Sequence, residues 1–65
     1  LPQWEQERLT DDDMRRVVRG IAVPATVPGA YARLVSDRTG VLLALGERRD
    51  DRWQPRVVMR PAEAP

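Results

Sequence analysis

A chain of 65 residues with neither cysteine nor histidine has no disulfide and no zinc-type ligand set with which to brace a small fold. At this length folding removes only about 60% of the surface that the unfolded chain exposes, and domains so small usually need such staples or unusually consistent local signals. The fold must come from apolar packing, caps and turns. Small secreted domains usually carry disulfides, so a cytoplasmic location is expected. The longest unbroken apolar run, Val41 to Leu45, is far short of the ~20 residues that span a bilayer, and no membrane association is expected. Leu1-Pro2-Gln3-Trp4-Glu5 has neither the basic nor the apolar part of a signal peptide. It reads as a cut inside a longer protein, with residues 1–8 as a linker.

Leu9-Thr10-Asp11-Asp12-Asp13-Met14 marks the start of a helix. Thr10 fits the N-cap, three aspartates fill the first turn where the helix dipole favours negative charge, and Leu9 and Met14 are spaced for a hydrophobic staple. Met14, Val17, Val18 and Ile21 follow at helical spacing and are expected to face the core. Gly20 supplies the left-handed residue that ends the helix.

Beyond Gly20 the period changes to that of strands. Ile21-Ala22-Val23, stopped by Pro24, is a short strand candidate, and Pro28-Gly29 marks a turn. Tyr31 to Ser36 reads as a strand with Ala32 and Leu34 on one face and Arg33 and Val35 on the other. Asp37-Arg38-Thr39-Gly40 makes the next turn, and Val41 to Leu45, apolar on both faces, fits a strand in the middle of the core. Gly46 to Gln54 reads as a charged hairpin loop. Pro55 then opens a last strand, Arg56 to Arg60, with Val57 and Met59 on one face and Arg56 and Arg60 on the other. Residues 61–65 read as a disordered tail. The expected class is α+β: a small pseudo-barrel of short, mainly antiparallel strands with one N-terminal helix.

The net charge of +1 hides a division along the chain. Residues 1–13 hold five acids against Arg8, giving −4, whereas residues 14–60 hold ten arginines against Asp37, Glu47, Asp50 and Asp51, giving +6. All eleven cations are arginine, which suits bidentate phosphate contacts; an Arg-biased genome would produce the same composition. Arg15, Arg16 and Arg19 lie in the helix, Arg15 and Arg19 one turn apart with a rise of ~6 Å, a spacing that can engage neighbouring phosphates. The structural alternative is pairing of Asp11 with Arg15 and Asp12 with Arg16 at i,i+4, which leaves Arg19 without an acid. Arg56 and Arg60 share a strand face ~13 Å apart and can flank a duplex backbone or simply protect a strand edge. Trp53 either stacks on a base or closes the core, packing being the more usual role. Trp4 is expected to pack against this domain or a neighbouring one. Asp11-Asp12-Asp13 lacks the glycine turn and terminal Glu of a calcium loop, and Ser36 has no identifiable base, so neither metal, cofactor nor catalytic group is expected.

The landmarks occur in a familiar order. Leu9-Thr10 followed by acids, Gly20 at a helix end, Pro24, Tyr31-Ala32-Arg33-Leu34-Val35, Gly40, Leu43-Ala44-Leu45-Gly46-Glu47, and Pro55 before Val57-Val58 resemble the C-terminal PUA-type domain of bacterial tRNA pseudouridine synthase B over residues 9–60. The chain departs from that pattern at Asp37 to Gly40, where a tighter Asp-Gly is common, and in the charged segment Arg48 to Arg52. The family isomerises the T-loop uridine of tRNA to pseudouridine through an Asp in a large N-terminal domain, and its Gly-Thr-Leu-Asp-Pro-type catalytic segment is absent here. The resemblance thus implies a monomeric, non-catalytic RNA-binding module whose partners are tRNA and its own N-terminal catalytic domain. Because PUA-type domains bind RNA with this helix and the segment after it, the resemblance adds Gly20 and Ile21 to Arg15, Arg16, Arg19, Arg56 and Arg60 as RNA-binding candidates. The other functional class in view is a PUA-like regulatory or protein-interaction module of another enzyme.

Overall fold

The computed structural model describes residues 4–59. In chain order the elements are β1 (Glu5–Leu9), α1 (Asp11–Val18), β2 (Val23–Pro24), β3 (Tyr31–Ser36), β4 (Leu42–Arg49) and β5 (Arg52–Val58). The strands form one curled, mixed sheet in the order β1-β3-β4-β5-β2. β1 runs parallel to β3 and the other three pairings are antiparallel, which makes the protein a small α+β half-barrel. No helix among the described residues is long and apolar enough to cross a membrane.

The helix follows from its local sequence. Thr10 is the N-cap, its hydroxyl accepting the Asp13 N–H at 3.2 Å. At the other end the Ile21 N–H reaches the Arg16 carbonyl and the Gly20 N–H that of Val17, each at 2.9 Å, the paired bonds of a Schellman motif. Val17 is buried, and Met14 packs against the same cluster. The expected core face nevertheless ends before Ile21: that residue lies beyond the cap, off the helix, and is 48% exposed. The strand foreseen at Ile21–Val23 is shorter and shifted, pairing only Val23 with Trp53 and Pro24 with Arg52. A proline is tolerated there because β2 is an edge strand.

Two further expectations are corrected. Residues 5–8, read as a linker, belong to β1, whose Glu7 and Leu9 point inward. Gly46 to Gln54, read as a loop, is mostly strand: β4 continues to Arg49 and β5 begins at Arg52, joined through Asp50 and Asp51 with Asp50 at φ 60°. Pro55 lies inside β5, where the register with β4 shifts from Gly46↔Pro55 to Leu45↔Val57 and leaves Arg56 unopposed. This irregularity absorbs the proline, which has no N–H for a ladder. It also turns over the faces after it, so Val58 rather than Val57 packs on the core, and Val57 is exposed. Arg60, residues 61–65 and residues 1–3 lie outside the described residues.

The core consists of Leu9, Val17, Val23, Ala32, Leu34, Leu43, Ala44 and Trp53, with Met14, Ala25, Val27 and Val58 packed around it. α1 closes it by packing on β1, β2, β4 and β5. Within this apolar set sits one carboxylate, Glu7, only 4% exposed. Its Oε1 accepts N–H groups from Thr26 (2.8 Å), Val27 (3.3 Å) and the Trp53 indole (2.9 Å), and its Oε2 accepts the Thr26 hydroxyl (2.6 Å). Burial pushes the carboxyl up, but these donors outweigh it and hold the group below its ordinary value of 4.5. On the same Trp53, the Arg48 guanidinium lies 4.8 Å from the ring centroid. Arg48 donates to the carbonyls of Gly29 (2.6 Å), Asp50 (3.2 Å) and Val27. Sequence reading placed both Trp53 and Arg48 in a charged loop; both are structural.

Two outcomes follow from this packing. A Cβ on Gly46 would stand 3.2 Å from Leu34 Cδ1 and 3.2 Å from Trp53 Cβ, and neither neighbour has room to retreat because both are fully buried. Gly46→Ala should therefore destabilise the protein by about 1–3 kcal/mol, read as a lower urea midpoint; an unchanged midpoint would show that the sheet relaxes freely. For Glu7 the folded carboxyl titrates lower than the unfolded one, so the unfolded chain binds more protons in that interval. The stabilisation is complete above the unfolded value and is lost as pH falls through the folded one. Glu7→Gln should cost about 2 kcal/mol near neutral pH and remove this part of the acid dependence, measured by urea unfolding from about pH 3 to about pH 7, roughly two units to either side of the ordinary carboxyl range.

Candidate nucleic-acid interface

The C-terminal end of α1 brings together five of the seven residues singled out in the sequence. Arg15, Arg16, Arg19 and Ile21, with Asp12, line a groove of about 280 Å³. Arg16 and Ile21 also line an adjoining groove of about 370 Å³ with Asp13, Ala22, Pro24 and Arg52. Gly20 forms the turn between them at φ +80°, and no atom lies within 4 Å of the place a Cβ would occupy, so its backbone is open to an approaching ligand.

The arginines differ in their attachments. Arg15 pairs with Asp12 at 2.6 Å and Arg16 with Asp13 at 2.8 Å, both at i,i+3 rather than the expected i,i+4. The first-turn aspartates thus reach the nearer arginine on the following turn, and Asp11 is left to Arg38 at 3.4 Å. Arg19 has no ion-pair partner among the described residues. Exposed helix pairs of this kind are worth only about 0.2–0.5 kcal/mol, less than a charge-assisted bidentate contact to phosphate. Arg15 and Arg16 can therefore exchange a carboxylate for an arriving anion, whereas Arg19 has nothing to give up. All three Asp side chains of the acidic run are engaged by guanidinium groups.

Arg56 stands elsewhere. It belongs to the sheet face away from α1, pairs with Glu47 at 3.4 Å, and lines a groove of about 320 Å³ with Trp4, Tyr31, Leu45, Gly46, Glu47 and Val57. Trp4 stacks on Tyr31, the ring centroids 5.0 Å apart and the planes at 20°. This third groove is largely apolar, with Tyr31 45% exposed. The expected pair of Arg56 with Arg60 has one member outside the described residues. Trp53, considered as a base-stacking residue, is 0% exposed and has no face to offer.

Sequence reasoning missed Arg52, which joins the helix-end groove from β5, and no local signal pointed to it. Gln54, two residues on, donates its side-chain amide to the Gly20 carbonyl at 3.1 Å, which ties the helix end to β5.

The cost of the helix terminus can be separated from any binding role. Gly20→Ala meets no steric obstacle, so its penalty is that of an L-residue in the left-handed region, about 1–2 kcal/mol. Urea unfolding should register that loss with an unaltered circular dichroism spectrum at low denaturant; a larger loss would mean that the Schellman turn itself is broken. No family model matches the chain, and no curated protein matches it.

Proposed function

We propose that this protein is an RNA-binding module of PUA-like type that acts in the cytoplasm and docks tRNA through the groove at the end of α1. In this reading it belongs to a tRNA-modifying enzyme whose own N-terminal catalytic domain converts the T-loop uridine to pseudouridine. The module grips the T-arm and acceptor side and helps to present the loop. The observation that carries the reading is the juxtaposition of Arg19, which has no carboxylate partner among the described residues, with the open backbone of Gly20 and the exchangeable Arg15 and Arg16. Guanidinium groups beside an unobstructed turn suit a sugar-phosphate backbone. The groove contains no aromatic ring, so recognition rests on shape and charge rather than on bases.

One observation favours a second reading, a protein-interaction module. The apolar groove of Trp4, Tyr31, Leu45 and Val57 suits contact with another protein surface. Salt dependence separates the two, because phosphate contacts release counterions and an apolar contact does not. Titration of tRNA at several salt concentrations should give a negative slope of log K against log salt. Arg19→Ala should weaken binding and reduce the slope by about one while leaving the unfolding midpoint in place. Unchanged tRNA binding by the folded variant would remove Arg19 from the site.

A further inference from the structure

We infer that the polyanion site has two anchors on separate elements, and that Arg52 of β5 is the second; the inference rests on the RNA-binding reading above. The two grooves at the end of α1 share Arg16 and Ile21, and Arg52 lines the second. Together they hold Arg15, Arg16, Arg19 and Arg52 against Asp12 and Asp13, so two positive charges remain once both aspartates are counted. Among the described residues the cations without an acid partner in these grooves are Arg19 and Arg52. They line different grooves and come from different elements, Arg19 at the helix terminus and Arg52 on the β4–β5 hairpin.

The placement of Arg52 is fixed by the fold. Its backbone pairs with Pro24 in β2, and the next residue, Trp53, pairs with Val23 and is locked in the core by Glu7. The Ala25 N–H donates to the Asp51 carbonyl at 2.8 Å, which pins the turn before Arg52. Gln54 holds the same strand to Gly20. The strand that carries Arg52 is tied to β2 and Ala25 and, through Gln54, to the helix end, so its backbone is held in a defined relation to that of Arg19, as a site for a backbone with repeating charges requires. The ligand class is a phosphodiester chain long enough to meet both anchors, in preference to a single phosphate or a nucleotide. Exposed Ile21, which lines both grooves, provides an apolar contact for ribose.

The test uses the 65-residue chain, an unmodified tRNA transcript and, in parallel, inorganic phosphate. The variants are Arg52→Ala, Arg19→Ala, the double variant and Arg8→Ala. The last makes the same change in charge on β1, the opposite edge of the sheet. The expected result is that Arg52→Ala and Arg19→Ala each weaken tRNA binding several-fold and each lower the salt slope by about one. The double variant should lower it by about two, Arg8→Ala should leave it as it is, and phosphate should compete only at high concentration. Binding weakened by Arg19→Ala but untouched by Arg52→Ala would overturn the second anchor and leave the helix-end site standing. Equal losses from Arg52→Ala and Arg8→Ala would overturn it as well, reducing the effect to net charge. Absence of tRNA binding by the unaltered chain would overturn the RNA-binding reading and this inference with it. Arg52 is exposed, so its removal should not disturb the fold, and an unchanged urea midpoint verifies this.

Discussion

The carboxylate of Glu7 is the join on which the sheet depends. It lies on the first strand, accepts hydrogen bonds from Thr26 and Val27 in the segment between β2 and β3, and accepts the indole N–H of Trp53 from β5. Three stretches far apart in sequence meet at one ion, in a chain that has no cysteine to link them. A buried charge is tolerated only when its hydrogen-bonding capacity is well filled, and here both oxygens are engaged. Trp53 stands between opposite charges, its N–H on Glu7 and its ring beneath Arg48. Arg48 carries the same network out to the carbonyls of Val27, Gly29 and Asp50. The largest core side chain is thus fixed in orientation as well as buried.

Legibility in the sequence followed the range of the interactions. The helix and its caps could be read because Thr10, the acidic turn and Gly20 act on atoms within five residues of themselves. The strand from Tyr31 to Ser36 showed through alternation, and the turn after it through Asp37 and Gly40. β1 was hidden because its inward position is a glutamate whose partners lie at residues 26, 27 and 53. The second half of β4 was hidden because Gly46 and Arg48 occupy positions where alternation leads one to seek apolar side chains. Gly46 is there to admit Leu34 and Trp53, and Arg48 is there to cover the indole. Pro55 suggested a strand start, since nothing in the sequence reveals that a register shift relieves it. The site divides in the same way: the helix-end arginines were visible as a cluster, while Arg52 joins them only through the pairing of β5 with β2.

Folding also rearranges the charge that looked so unequal along the chain. Asp11, Asp12 and Asp13 end beside Arg38, Arg15 and Arg16, and Glu7 leaves the surface altogether. The acidic start is thereby spent on helix capping and on exposed pairs with arginine. Among the described residues, positive charge without an ion-pair partner is left at the junction of α1 with the hairpin, on Arg19 and Arg52. Neither i,i+3 nor i,i+4 spacing puts an acid before Arg19, since Arg16 and Arg15 stand at those positions, and the pairs that do form hold Arg15 and Arg16 only weakly.

The parallel pairing of β1 with β3 sets Glu5 opposite Ala32, whereas β3, β4 and β5 are joined by short antiparallel turns. Contacts that close long stretches of chain form late, after local ones have reduced the entropy to be lost. By that rule the meander and the capped helix are the pieces expected early, and the pairings of β1 with β3 (Glu5 with Ala32) and of β2 with β5 (Val23 with Trp53) those expected late. Until β1 docks, the indole and the Thr26 hydroxyl have only water to accept from them, so the strand that supplies their buried acceptor also carries a negative charge into the interior.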